Sequence, residues 1–73
     1  MIYLTRVEPS QNMHRFYCLD IQPNLFGEWC LIRNWGRIHS SGRSMETPYP
    51  TLEEAEKVRK KLAKAKRGNG YLG

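Results

Sequence analysis

Three residues near the middle of the chain, Trp35, Gly36 and Arg37, hold its clearest chemical potential. They close a strand-like run from Trp29 to Arg37, in the order WCLIRNWGR. Alternate side chains of a strand share a face, so Arg33, Trp35 and Arg37 project together as basic, aromatic, basic. An indole plate between two guanidinium groups suits nucleic acid, the ring stacking while the cations meet phosphate. Gly36 adds to this reading, because glycine inside a strand costs stability and marks a bulge or the close approach of another chain. The competing reading of Trp35 is a core tryptophan, a common fate in a small domain. Trp29 fits that reading well. Strand parity puts both tryptophans on one face unless a bulge separates them.

No comparable case exists for catalysis or metal binding. His14 and His39 have no obvious nucleophile beside them, and Ser40, Ser41 and Ser44 belong to a turn. The chain has no nucleophile elbow and no phosphate loop. Cys18 and Cys30 with the two histidines match no zinc-finger or knuckle spacing. Two cysteines are too few for a disulfide framework, and both fall inside strands, where reduced and partly buried thiols are expected. No enzyme activity, metal or cofactor is therefore expected.

These residues must be positioned by a small scaffold. With 73 residues the chain makes one domain at most, with a modest core. No apolar run approaches membrane-spanning length, and the start, MIYLTRVEP, lacks a signal peptide's basic and apolar regions. A soluble, cytoplasmic protein without a membrane partner is expected. The net charge of +5 is unevenly placed. Up to residue 36 three arginines balance three acids, whereas from Arg37 onward nine bases face four glutamates. Lys57 to Arg67 holds seven bases and no acid. Such a block suggests an anionic partner, although it also serves simply as a solvated helix face.

The chain reads as four strands and a helix. Ile2 to Val7 is the first strand, and Glu8 to Met13, with Pro, Ser and Asn, is a loop. His14 to Gln22 is the second strand. It is apolar on both sides, with Tyr17, Leu19 and Ile21 on one and Phe16 and Cys18 on the other, so it is central or covered twice. Pro23 to Glu28 bends at Gly27 into the third strand, Trp29 to Ile38, giving an antiparallel hairpin. After the Ser40-Ser41-Gly42 turn, a fourth strand runs from Arg43 to Glu46, or as far as Tyr49. Pro48 and Pro50 break it before the helix.

The helix spans about residues 51 to 67, leaving a short tail, 68 to 73. Thr51 and Glu54 match a capping box, and acids precede bases along it, as the macrodipole favours. Leu52, Ala55, Val58, Leu62 and Ala65 form the core stripe. Lys57, Lys60, Lys61 and Lys64 face solvent, Arg59 packs its stem at the edge, and Gly68 stops the helix. The expected fold is α+β, a small antiparallel sheet with one C-terminal helix packed across it, in a single domain of residues 1 to 73.

The stretch LFGEWCLIRNWGRIHSSGR resembles the core of the WGR domain, a module of poly(ADP-ribose) polymerases and of many small bacterial proteins. Phe16-Tyr17-Cys18-Leu19 is similar to the aromatic strand before that core, and Phe26-Gly27-Glu28-Trp29 to the usual lead-in. Gly42 stands at the family's second turn glycine, Thr51 to Arg67 at its helix, and Gly70-Tyr71 at its closing pair. His39 departs from the pattern, where the family usually has glycine. The resemblance implies DNA binding near a strand break, with Trp35 stacking at the terminus and Arg37 at the DNA and interdomain surface. The polymerases' zinc fingers, regulatory helices and catalytic domain have no counterpart here, so no ADP-ribosylation is expected.

Residues and resemblance together point to a non-catalytic nucleic-acid-binding module acting on DNA largely without sequence preference. Trp35 supplies stacking, and Arg33, Arg37 and Arg43 supply phosphate contacts. The helix, through Lys57 and Lys61, extends the positive field if it borders the same surface. RNA offers the same phosphates and ring faces. The alternative is a protein-interaction module or a small subunit of a larger assembly, which a marginal core and an exposed sheet edge would also suit.

Overall fold

The computed structural model describes residues Met1 to Gly73. Four strands, β1 (Ile2–Glu8), β2 (Met13–Pro23), β3 (Trp29–Arg37) and β4 (Arg43–Tyr49), form one antiparallel sheet in chain order. A single helix, α1 (Leu52–Gly68), follows and touches all four. This is the α+β architecture expected. The loop after β1 contains a 3-10 turn, Pro9–Gln11, closed by Asn12 in the left-handed region at φ 51°. No helix is long and apolar enough to cross a membrane.

The register decides what shares a face, because directly opposed residues of an antiparallel pair point the same way. Leu4, Tyr17, Trp35 and Arg43 form one row across the sheet, and Ile2, Leu19, Arg33 and Met45 the next. Leu4, Tyr17, Leu19 and Leu31 are buried on this face beneath Ala63 of α1. Burying each leucine stabilises the fold by about 1.5–3 kcal/mol. The other face carries no helix, and β2 is central, as its apolar residues on both sides predicted. Phe16, on the bare face, is covered instead by Tyr3, their rings parallel within 6° and 6.0 Å apart.

Three details differ from the sequence reading. The inward stripe of α1 includes Ala55, Val58 and Leu62, but Ala63 is buried where Ala65 was expected, and Ala65 and Leu52 are exposed. At 100° per residue Ala63 and Ala65 lie symmetrically about the arc centred on Ala55 and Leu62. The tilt of the helix on the sheet chooses between them. Pro48 does not break β4 but sits within it, opposite Cys30. An edge strand accepts proline because only half of its backbone groups serve the ladder.

The third correction concerns the helix end. Gly68 is the last helical residue and Asn69 the cap; the left-handed residue is Gly70, at φ 94°. The Tyr71 N–H donates to the Lys66 carbonyl at 3.1 Å and the Gly70 N–H to that of Arg67 at 3.2 Å. That pair of bonds is a Schellman motif. It turns the chain back so that Leu72 and Thr5 exchange two backbone hydrogen bonds of 2.8 Å along the outer edge of β1. The N-terminus follows expectation, Thr51 Oγ1 accepting from the Glu54 N–H at 3.2 Å.

Candidate functional site

Trp35 sits on the helix-covered face with Arg33 and Arg37, and the ladder from Trp29 to Arg37 is unbroken. No bulge separates the two tryptophans, so both point to that face. Trp35 is half-buried. Its inner side packs on the core, its ring 6.3 Å from that of Tyr17 and inclined by 27°. Tyr17 in turn meets Tyr71 edge-on at 6.2 Å, and the Lys66 ammonium lies 4.6 Å from the Tyr17 centroid and 5.5 Å from that of Tyr71. The remainder of Trp35 borders an open recess of about 270 Å³, shared with Met13, Arg15, Arg37 and Tyr71. One part of the indole is thus core, and another part is open to the recess.

The recess exists because the helix crosses the sheet obliquely. Its start follows Tyr49, at the sheet end where Trp29 pairs with Tyr49. Its finish lies by β1 and Tyr17. The corner formed by the end of β3, the start of β4 and the start of β2 is left open. Into this corner the register brings Arg43, opposite Trp35, and Arg15, opposite Arg37. All five strand arginines (Arg6, Arg15, Arg33, Arg37 and Arg43) occupy the helix side, by parity and pairing. The bare face carries Asp20 and Glu46 and no lysine or arginine from any strand.

These cations are sparsely neutralised. Arg6 pairs with Glu8 at 3.0 Å. Arg37 donates to Asn12 Oδ1 at 3.3 Å, and the Arg33 guanidinium contacts the Met45 sulfur. No carboxylate lines the recess. Directly opposed like charges, as at Arg15 and Arg37, lower sheet stability, and an anion placed between them would relieve that repulsion.

Gly36 faces the other way, and its role is one of packing. A β-carbon there would stand 2.7 Å from the Gly42 Cα and 3.3 Å from Ser40 Oγ. The close approach read from the sequence is therefore that of the chain's own β3–β4 turn, folded back over the bare face against Phe16. His39 in that turn has φ 74°, so it holds the conformation glycine adopts freely. A left-handed non-glycine residue costs roughly 1–2 kcal/mol. His39→Gly is accordingly expected to stabilise the domain by about 1 kcal/mol, after the entropy that glycine gives the unfolded chain. Urea denaturation followed by circular dichroism measures this.

The predicted site residues thus divide. Arg33, Trp35, Arg37 and Arg43 are brought together, and Gly36 shapes the strand beneath them. Lys57 and Lys61 are exposed on the outer side of α1, and neither lines the recess. The lysine that reaches the aromatic cluster is Lys66, which the Schellman turn sets against Tyr71. Arg15, Tyr17, Tyr71 and Lys66 were missed by the sequence reading. Parity within β2 groups Arg15 with Tyr17, but only the β2–β3 register sets them beside Arg37 and Trp35. Cys18 lies on the bare face, where burial and then the Asp20 charge raise its thiol pKa. Cys30 pairs with Gln22, four residues along β2 from Cys18. That is about 13 Å of strand, too far for a disulfide.

The family model described as the WGR domain matches residues 1–73. A protein of Sinorhizobium fredii (strain NBRC 101917 / NGR234), described as uncharacterized protein y4dW, is 43% identical over 70 residues. That match covers 96% of this chain but 34% of the relative, so the chain spans about a third of the curated relative's length. No solved structure matches.

Proposed function

The chain belongs to the WGR family, and from that membership and its one arginine-rich sheet face we propose a non-catalytic module that binds nucleic acid. The ligand we favour is DNA, bound largely without sequence preference. One observation carries this reading: a half-buried tryptophan opens onto a recess with arginines on its flanks and no carboxylate in its lining. Packing on Tyr17 holds the indole in place before any ligand arrives, so little rotamer freedom is lost on stacking. Arg33, Arg37 and Arg43 then meet phosphates around the stacked residue. Because every strand arginine lies on the helix side, the nucleic acid approaches that side, and the bare acidic face turns away from it.

Phosphate contacts set the salt dependence. With three of them, log K should fall against log salt with a slope of about −2.7. Fluorescence anisotropy with labelled nicked, blunt and single-stranded DNA, and with an RNA strand, measures slope and preference together. Arg37→Gln and Arg43→Gln should each reduce the slope by about 0.9. Lys57 and Lys61 act only through the long-range field, which is screened beyond about 8 Å at physiological salt. Replacing both by glutamine should change affinity less than about twofold, an energy below 0.5 kcal/mol or so. A slope unaffected by the arginine changes but reduced by the lysine pair would move the interface to the outer face of the helix.

A further inference from the structure

The β2–β3 loop thrusts two large apolar side chains into solvent, Leu25 at 99% and Phe26 at 85% exposure. The loop is nonetheless well fixed. Asn24 Oδ1 accepts from the N–H groups of Phe26 and Glu28, both at 2.9 Å. The Asn24 N–H donates to the Glu28 carbonyl at 2.9 Å, and its side-chain amide to the Glu28 carboxylate at 3.3 Å. Gly27 supplies the left-handed step, at φ 77°. Apolar residues held out on a loop already ordered lose little entropy on docking, which is the character of an interface anchor.

The charge around this tip selects its partner. Residues 24 to 28 include Glu28 and no base. The start of α1, with Glu53 and Glu54, lies at the same end of the sheet, beyond the Trp29–Tyr49 pair. An acidic surround disfavours nucleic acid, and two apolar side chains within it suit a recess of mixed lining, part apolar wall and part basic rim. The opposite end of this same molecule has one: the recess of about 270 Å³, with Met13, Trp35 and Tyr71 in its wall and Arg15 and Arg37 beside them. β2, of 11 residues, separates the two. That is about 36 Å of strand, so no chain can fill its own recess.

We infer that the Leu25–Phe26 tip of one copy docks in the Trp35 recess of a second copy, with Glu28 facing Arg15 and Arg37. The contact stands on the geometry of the two ends. The consequence that nucleic acid and tip compete for Trp35 rests on the function proposed above. Two apolar side chains bury at most roughly 300 Å², far below the ~800 Å² per partner of a stable complex, so the association is weak. It is also heterologous, leaving a free tip at one end and a free recess at the other, so it extends beyond two copies unless a ring closes.

Sedimentation equilibrium tests this between about 10 μM and 1 mM, the range suited to so small a contact. The wild-type weight-average mass should climb with concentration, and Phe26→Ser should weaken the association at least tenfold. Arg15→Glu, which keeps the tip but spoils the recess, should also be monomeric. Mixing Phe26→Ser with Arg15→Glu should restore association, ending at a pair. A wild type that stays monomeric throughout, or one whose association survives Phe26→Ser, overturns the inference. Duplex DNA should dissolve the assemblies. If they persist with DNA bound and still require Phe26, the tip contact stands and the stacking role of Trp35 falls.

Discussion

Gly42→Ala is expected to destabilise the domain by about 3 kcal/mol or more and to lower its melting temperature by roughly 12–24 °C. Two effects combine. At φ 68° an alanine sits in left-handed backbone, which costs roughly 1–2 kcal/mol. Its methyl group would also strike the Trp35 carbonyl oxygen and stand 2.8 Å from Phe16 Cζ. The oxygen belongs to backbone and Phe16 is buried, so neither gives way easily, and overpacking of this kind costs typically 1–3 kcal/mol. A 73-residue domain belongs near the low end of the 5–15 kcal/mol range of folding stabilities, so a loss of this size would leave a margin of only about 2 kcal/mol, with a few per cent of the molecules unfolded. Gly36→Ala makes the same clash from the other side, 2.7 Å from Gly42 Cα, and should follow in direction. Gly68→Ala is the control. Nothing lies within 4 Å of the new methyl, and alanine in a helix gains up to about 1 kcal/mol over glycine. Thermal unfolding of the three variants by circular dichroism would rank them. A Gly42→Ala protein as stable as wild type would show that the turn does not pack over Phe16.

Trp35→Leu is expected to reduce affinity for DNA by roughly fivefold to 150-fold, the loss of one stacked residue worth about 1–3 kcal/mol. Leucine is the more informative substitution because the inner side of Trp35 packs on Tyr17 and the core. Alanine would lose that packing as well and confuse a binding defect with a folding one. Trp35→Phe, which keeps a ring, should recover part of the affinity. Two tryptophans make the measurement self-checking. Trp29 lies at the opposite end of β3, so DNA should quench the fluorescence of Trp29→Phe and leave that of Trp35→Leu almost unchanged. Equal affinity of Trp35→Leu and wild type, with both folded, would reduce Trp35 to a packing residue.

The exposed tip and the open recess give the molecule two ends of different character. On the function and the docking proposed above, the basic, aromatic end would meet nucleic acid and the acidic, apolar end would meet protein. Self-docking would store the recess against loose binding at high protein concentration, and nucleic acid would release it.

Much of this was legible in the sequence, and for a local reason. Strand period, helix period, the Thr51 cap and the turn residues act between neighbours, so four strands and one helix follow from short-range rules. Parity alone set Arg33, Trp35 and Arg37 on one face. What those rules left open was which partner lies across each strand and how the helix tilts. A glycine stop at 68 or 70 is a near tie locally, and the choice of Gly70 is fixed by where Tyr71 packs and where Leu72 pairs. Ala63 and Ala65 are symmetric on an isolated helix. Arg15 is one cation in a balanced half of the chain until the β2–β3 register sets it opposite Arg37. Gly36 has no room for a side chain, because Gly42 Cα lies 2.7 Å from where its β-carbon would be. The sequence by itself determined the elements and the chemistry of the Trp35 stripe. The tertiary structure decided that half of the indole is core, that Lys66 rather than Lys57 or Lys61 joins the aromatic cluster, and that a corner of the sheet stays open. Register and tilt are set by packing between residues far apart in the chain, and no local period contains that information.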